Sequence, residues 1–209
     1  MKHEWRKKEK EIYLPKTQPE LIDVPEFQYI VLSGEGNPNS ELFSKCIEAL
    51  YSVAYAVKMN LKKAKKPPKG YHDWTVYPLT GIWDITEEAK QNYTGTLNKD
   101  ELVFDLMIRQ PNFISKSFFY EMIEFTKNKK SNELLNKIEF KKIKDGKCIQ
   151  MLHVGSFDDE PKSFARMEEF ANGLNLKRKS KSHREIYLSD FRRVPEQKLK
   201  TTLRFQLSE

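Results

Sequence analysis

Apolar residues in the first part of the chain change from a strand spacing to a helix spacing. Residues 27–36 (FQYIVLSGEG) form an apolar run that ends in a glycine-rich turn, which predicts a buried β-strand. Ser40 is the predicted N-cap of a helix. Beyond it, apolar residues recur at three- and four-residue intervals, as on the buried side of a helix: Leu42, Phe43, Cys46, Ile47, Leu50, Ala54, Val57 and Leu61.

Two strands and a second helix are predicted downstream. Residues 73–85 and 101–110 are expected to pair as a hairpin, in which Pro78 and Gly81 make the first strand an edge strand or a bulged one. A helix is predicted from about Ser115, followed by one or two further helical turns. Its inward residues are expected to be Phe118, Phe119, Met122 and Phe125.

The same order of elements then starts again. Asp158, Glu160 and Pro161 give a helix start with acidic residues and proline in the first turn. The apolar stripe of that helix is Phe164, Met167, Ala171 and Leu174. The predicted strands around it are 138–146, 147–155, 184–190 and 199–207.

These matches indicate an internal repeat. Gly34, Phe43, Cys46 and Leu50 correspond to Gly155, Phe164, Met167 and Ala171, each at an offset of 121. In the later hairpins, Tyr77 corresponds to Tyr187 at an offset of 110. Each half is therefore predicted to be strand–helix–strand–strand. Two such halves joined edge to edge give an α+β fold, with one antiparallel sheet, helices on one face and a ligand cleft on the other.

The predicted organisation is one domain preceded by an arm. Residues 1–25 carry three prolines and many charges, and they are expected to form an extended N-terminal arm. Residues 26–209 are expected to form a single domain. Its two repeats cover about 26–112 and 138–209 and are joined by a helical linker.

Charge and composition narrow the class of protein. The net charge is +7, and basic runs lie at 62–69 and 177–184. Such runs suit nucleic-acid binding through counterion release, but helix-flanking solvated loops are the favoured interpretation, since no DNA- or RNA-binding motif accompanies them. The two cysteines, Cys46 and Cys148, lie in apolar segments and are interpreted as small core residues. No membrane span or signal peptide is predicted, so a cytoplasmic protein is expected.

Residues 184–190 (REIYLSD) carry the candidate chemistry. Side chains alternate across a strand, so Ile186 and Leu188 share one face while Glu185 and Tyr187 share the other. If the apolar pair packs on the helices, the acid and the phenol project into the cleft. A carboxylate among aromatic walls suits a cationic ligand or acid/base work. The alternative is a cross-strand salt bridge of Glu185.

Other candidate site residues are aromatic or basic. Trp74, Tyr77, Trp83 and Phe104 are predicted to bind a ligand, because aromatic faces supply flat apolar area and attract cations; packing in the core is the alternative. His153 is a candidate proton donor, or a buried histidine with satisfied hydrogen bonds. The chain has 4 histidines, none closely spaced, so no metal site is predicted. No organic cofactor is implied, since no dinucleotide-binding fingerprint is present.

Several of these segments resemble the GyrI-like small-molecule binding domains (also described as SOUL-like). The resemblance rests on QMLHVGSFDDEPKSFARMEEF from Gln150, on HREIYLSDFRRVPEQKLKTTLR (183–204), and on the weaker SGEGNPNSELF and DWTVYPLTGIWDI stretches. It extends over nearly all of the chain from about residue 20. The first-half stretches resemble a stand-alone branch that includes bacterial proteins similar to hydrolases of cyclopropane-bearing, duocarmycin-type compounds.

The resemblance implies a two-repeat fold in which Glu185 faces the ligand, with Tyr187 beside it. Family members fused to DNA-binding domains act as multidrug-sensing regulators. Here the short N-terminal arm leaves no room for a fused DNA-binding module, so no direct nucleic-acid role is expected. The sequence leaves the oligomeric state open, a homodimer included.

Two functions follow from these observations. The first is capture of an aromatic or cationic xenobiotic, with hydrolysis of strained electrophilic compounds as a cofactor-independent detoxification. Glu185, Tyr187 and His153 would be its catalytic residues. The alternative is a non-catalytic interaction protein whose basic surface binds an acidic macromolecular partner.

Overall fold

The secondary structure is that of an α+β protein with six strands. The computed structural model describes residues 2–129 and 132–208. The strands are β1 (Glu20–Glu35), β2 (Leu79–Ile85), β3 (Leu102–Gln110), β4 (Glu139–Val154), β5 (His183–Tyr187) and β6 (Lys200–Gln206). The α-helices are α1 (Trp5–Lys8), α2 (Lys10–Tyr13), α3 (Glu41–Lys63), α4 (Glu87–Gln91), α5 (Lys116–Lys127) and α6 (Glu160–Gly173). Short 3₁₀ turns lie at Lys99–Glu101, Glu133–Lys137, Phe157–Asp159 and Glu196–Lys198.

The chain divides into two compact units. The described residues of the first unit lie in 2–4, 27–77 and 83–143, and those of the second in 5–26, 78–82 and 144–208. Strands β1, β2 and β4 each contribute residues to both units.

In the first unit, the long helix α3 packs against the sheet and against a second helix. The strand order is β1–β3–β2, and β1 pairs antiparallel with β3, with Ile30 opposite Ile108. Helix α3 packs against β3 and α5. The side chain of Ser40 caps α3 by accepting a hydrogen bond from the Phe43 N–H, and Ser115 caps α5 in the same way.

In the second unit, α6 packs on strands arranged in the order β4–β6–β5. Strand β4 pairs antiparallel with β6, and β6 pairs antiparallel with β5. The apolar core of this unit joins strand and helix residues: Ile149, Met151, Met167, Ala171, Leu203, Phe205 and Leu207. The predicted stripe residues Met167 and Ala171 are therefore buried by β4 and β6, whereas Leu174, just beyond α6, is 46% exposed.

The predicted α+β class and the repeated strand–helix–strand–strand order are confirmed. The first copy is β1–α3–β2–β3 and the second is β4–α6–β5–β6. Within the predicted α3 stripe, Leu42 differs from its neighbours because it is 51% exposed. The two strands predicted over 138–155 form one continuous strand, β4.

The N-terminal residues differ from the predicted extended arm. They form the one-turn helices α1 and α2 and the first residues of β1. Trp5 and Tyr13 are buried, and their rings lie 5.1 Å apart. Burial of these two large rings against each other explains why this segment is folded and not extended.

No helix within residues 2–129 and 132–208 has the length and apolar character needed to cross a bilayer.

Candidate functional site

Three polar side chains on strand β5 lie on the same side of the sheet. The Tyr187 hydroxyl donates a hydrogen bond of 2.8 Å to Glu185 Oε2. His183 Nε2 lies 3.1 Å from Glu185 Oε1. Since alternate residues of a strand share a face, His183, Glu185 and Tyr187 form one row along β5. The predicted pairing of Glu185 with Tyr187 is therefore present.

That row faces helix α6. Glu185 lies directly opposite Leu203 of β6, and Leu203 belongs to the core that packs against α6. Directly opposite residues of an antiparallel pair project to the same side. The expectation that Ile186 and Leu188 face the helices, with Glu185 and Tyr187 on the other side, is therefore wrong.

The physical reason is that a different element covers the other side of these strands. Thr202, directly opposite Ile186, donates a hydrogen bond of 2.8 Å from its hydroxyl to the Tyr13 carbonyl oxygen. The N-terminal segment thus occupies the side on which the helices were expected. Ile186, which shares that side with Thr202, is buried.

Glu160, the first residue of α6, completes the group. Its carboxylate offers an oxygen within 4.8 Å of ligand atoms of both His183 and Glu185. Burial raises the pKa of Glu160 well above its usual range, and the charge of Glu185 and a hydrogen bond with it raise this pKa further. We call Glu160, His183, Glu185 and Tyr187 the carboxylate cluster.

Aromatic side chains border the carboxylate cluster. The Phe157 ring packs edge-on against Tyr187 with centroids 6.0 Å apart, and Phe191 packs against Phe157 at 6.4 Å. Phe191 is 37% exposed, while Glu185 is 9% exposed. On the helix side, Phe164 contacts the His183 ring edge-on at 4.6 Å. A carboxylate bordered by partly exposed rings suits an aromatic or cationic ligand.

His153 lies on β4 in the same unit, and both of its ring nitrogens are engaged. Nδ1 lies 2.9 Å from the Ser163 hydroxyl, and Nε2 lies 2.8 Å from the Ser156 carbonyl oxygen. The residue is 5% exposed. These contacts hold the start of α6 against β4. The catalytic role predicted for His153 stays a prediction.

The four aromatic residues predicted to bind a ligand all lie in the first unit and are 1–5% exposed. Trp83 and Phe104 pack on each other and on Phe43 of α3. Trp74 contacts Lys58, whose Nζ lies 4.9 Å from the ring centroid. Tyr77 contacts Arg109 in a similar way at 4.5 Å. Their packing forms separate groups, and their ligand-binding role stays a prediction.

A buried ionic network fixes β5 from the side opposite α6. Asp145 accepts hydrogen bonds from Arg184 at 2.7 Å and from Arg204 at 3.3 Å. Burial raises the pKa of Asp145, but the two guanidinium groups outweigh it and hold the pKa below its usual range. The Nε and Nη2 groups of Arg204 donate hydrogen bonds to Gln150 Oε1, and Nη2 also donates to the Ile12 carbonyl oxygen. The network fixes the strand register that presents Glu185.

Two residues of the carboxylate cluster were missed in the sequence, although each carries a signal. His183 lies two positions before Glu185, so the strand alternation already puts both on one face. Glu160 lies four positions before Phe164 and seven before Met167, which is the spacing of the apolar stripe of α6. An acid at a stripe position predicts a buried carboxylate that needs a partner.

Comparisons with known proteins agree with this architecture. The family model of the GyrI-like small-molecule binding domain matches residues 17–208. A hydrolase from Listeria innocua is 31% identical, covers 99% of this chain and 100% of its own, and superposes with a TM-score of 0.87. A hydrolase encoded by lin2189 from Listeria innocua is 32% identical over 100% of both chains, with a TM-score of 0.89.

A more distant structure shares the fold alone. The C-terminal domain of EcmrR is 12% identical, with a TM-score of 0.55 over 95% of this chain and 99% of its own. No curated protein matches the sequence.

Proposed function

This chain belongs to the GyrI-like small-molecule binding domain family, and from that premise we propose that its carboxylate cluster captures aromatic or cationic small molecules and hydrolyses strained electrophilic ones. The observation that carries the proposal is the hydrogen bond from Tyr187 to Glu185 beside the rings of Phe157 and Phe191. The two Listeria innocua proteins of similar sequence, both described as hydrolases, support the catalytic part.

Binding would use the charge and the rings together. The Glu185 carboxylate attracts a cation or accepts a hydrogen bond, and Phe157 and Phe191 offer ring faces to a flat ligand. Trp74, Tyr77, Trp83 and Phe104 remain proposed ligand contacts. Because all four are buried, ligand contact would require these side chains to rearrange.

Hydrolysis of a cyclopropane conjugated to a carbonyl would need one base and one hydrogen-bond donor. Glu185 would take a proton from water as the water oxygen bonds to a ring carbon. The C–C bond of the cyclopropane breaks, and its electron pair moves through the conjugated system to the carbonyl oxygen. Tyr187 or His153 would stabilise that oxygen by donating a hydrogen bond, and the proton taken from water finally neutralises it. The reaction adds one water and needs no redox partner.

The test is a ligand screen on chelator-treated protein, so that no bound metal ion contributes. Planar aromatic, cationic and cyclopropane-bearing compounds are assayed by thermal shift and tryptophan quenching, since a specific ligand raises the melting temperature by mass action. Glu185→Gln should weaken the shifts. The control Glu168→Gln, whose carboxylate pairs with Arg178 and Lys181 elsewhere in the same unit, should leave them unchanged.

Hits that carry a cyclopropane are then incubated with the protein and analysed by mass spectrometry for the addition of one water. Shifts that do not respond to Glu185→Gln would contradict the proposed site. No shift with any compound, together with salt-sensitive binding of an acidic macromolecule, would favour the interaction-protein alternative.

A further inference from the structure

We propose that Glu160, His183 and Glu185 form a binding site for a first-row divalent metal ion, with Zn²⁺ as the reference probe. The inference goes beyond the proposed function and does not depend on it. It differs from the sequence prediction that the chain has no metal site, which rested on the wide spacing of its histidines. The fold brings one histidine together with two carboxylates instead.

The His183 ring is oriented by contacts at both of its nitrogens. Its Nδ1 lies 3.3 Å from the Lys181 carbonyl oxygen, which only accepts hydrogen bonds, so Nδ1 is the donor in that contact. Nε2 points at Glu185 Oε1, 3.1 Å away. A metal ion bound by both Nε2 and the carboxylate would occupy this position. A histidine that donates from one nitrogen to a carbonyl and faces carboxylates with the other has the arrangement of a metal ligand.

Glu160 is a buried acid with one carboxyl oxygen directed at no donor among the described residues. The residue is 5% exposed, and its Oε1 has no hydrogen-bond partner within residues 2–129 and 132–208. The other oxygen of this carboxyl group is engaged with Glu185, and a buried polar oxygen without a hydrogen-bond partner is costly. One proton between His183 and Glu185 would leave this oxygen unpaired. A metal ion among the three residues would satisfy all of them at once.

The distances between the three ligand groups and the contacts that orient them also suit a metal ion. Ligand atoms of the three residues lie within 4.8 Å of one another. Ligand atoms of a tetrahedral Zn²⁺ ion, bound at about 2.1 Å, lie roughly 3.4 Å apart, so the most widely separated of these atoms would close by up to about 1.4 Å on binding. Tyr187 holds the other Glu185 oxygen, and Phe164 packs on the His183 ring, so both ligands are already oriented.

The charge of the surroundings also fits a cation. Arg184 lies between the two β5 ligands in sequence, but its side chain lies on the other side of the strand and binds Asp145. One imidazole and two carboxylates favour borderline ions such as Zn²⁺ over Mg²⁺ or Ca²⁺, which prefer an all-oxygen set.

The experiment is isothermal titration calorimetry of the full chain, with bound metal removed first, against Zn²⁺ and against Mg²⁺ as a hard-ion control. We expect one Zn²⁺ per chain. Glu160→Gln and His183→Gln should each weaken Zn²⁺ binding by at least the ~10–100-fold that loss of a supporting residue costs. Co²⁺ should give visible absorption bands in the wild type that both variants lose.

The matched control is His72→Gln. His72 is exposed, and its ring lies 5.6 Å from that of His3, so this surface pair is the natural place for adventitious binding. Zn²⁺ affinity should not change in this variant. Loss of binding in His72→Gln, or equal binding in all variants, would overturn the proposal, as would the absence of Zn²⁺ binding in the wild type. Circular dichroism confirms that each variant is folded, and Glu185→Gln replaces any that is not.

Metal binding and the proposed hydrolysis share Glu185, and the readouts keep them apart. An ion on Glu185 would occupy the oxygen that is proposed to act as the base, so Zn²⁺ should inhibit turnover. Calorimetry reports the metal site whether or not any substrate is turned over, and the hydrolysis assay uses chelator-treated protein. Either proposal can therefore fail alone.

Discussion

The phenol of Tyr187 and the carboxylate of Glu185 are joined by a hydrogen bond of 2.8 Å, two residues apart on one face of β5. This contact fixes one carboxylate oxygen and directs the other toward His183. The arrangement depends on the antiparallel pairing of β5 with β6 and on the start of α6, which contributes Glu160. It places two carboxyl groups, a phenol and an imidazole within one group of side chains.

Replacing Tyr187 with Phe should reduce turnover more than binding. The ring would still pack on Phe157, so an aromatic ligand should keep its affinity within a few-fold. Loss of the donor that stabilises the developing oxyanion should lower kcat by about 10²-fold. Steady-state kinetics on a cyclopropane-bearing compound that binds in the screen measures the effects on kcat and on KM separately. An increase in KM at constant kcat would contradict the role assigned to the hydroxyl.

Replacing Asp145 with Asn should destabilise the protein strongly. Removal of its charge takes away the carboxylate that the buried side chains of Arg184 and Arg204 both contact, which costs ~3–5 kcal/mol. Urea unfolding at pH 7 measures the loss. The control Asp190→Asn breaks the contacts of the exposed Arg192 and Arg193, and should cost no more than ~1 kcal/mol.

The contribution of Asp145 should also depend on pH. Its pKa is lower in the folded protein than in the unfolded chain, so its contribution is complete above the unfolded value of about 4 and falls as the pH drops through the folded value. The difference in unfolding free energy between wild type and Asp145→Asn should therefore shrink below about pH 4. A constant difference down to pH 2 would show that Asp145 stabilises the fold by other means.

Replacing Gly34 with Ala should destabilise the first unit. Gly34 lies opposite Phe104, and an added Cβ would lie 2.6 Å from two carbons of its ring. The ring is held by Phe43 and Trp83, so the clash should cost ~1–3 kcal/mol. Gly173→Ala, with open space around its Cβ in α6, should be neutral or stabilising by up to ~1 kcal/mol. Thermal unfolding measures the stability of both variants. Equal changes in stability would contradict the predicted clash between the added Cβ and the Phe104 ring.

Both cysteines should be inert in the folded protein. Burial raises the pKa of Cys148 to about 12, with a further increase from Asp145, and burial also raises the pKa of Cys46. Since the thiolate is the reactive form, a thiol-reactive disulfide reagent should label neither at pH 7–8, and both after unfolding in urea. Rapid labelling of native protein would contradict this, and a Cys46→Ala variant would identify the residue.

Local patterns predict the elements of this fold, but contacts between distant residues decide several details. Apolar spacing and the caps Ser40 and Ser115 predict α3 and α5, because capping and periodicity act within a few residues. Two separate strands, 138–146 and 147–155, are predicted where the structure has β4. The strand continues because Asp145 is paired with arginines 39 and 59 residues away, which no local pattern reveals.

The site shows the same limit. The alternation of β5 predicts that Glu185 and Tyr187 share a face. It does not reveal that α6 covers the face of Glu185 and Tyr187 while the N-terminal segment covers the opposite face. That choice depends on the buried contact of Thr202 with Tyr13 and on the core contact of Leu203.

The most direct test of the central claim is product analysis by mass spectrometry after incubation of a cyclopropane-bearing aromatic compound with chelator-treated wild type and Glu185→Gln. We expect a product heavier by one water with the wild type, and a rate of product formation lower by about 10²–10⁴-fold with the variant. Thermal unfolding checks that both proteins are folded. Equal rates for the two proteins would contradict the claim that Glu185 carries the chemistry.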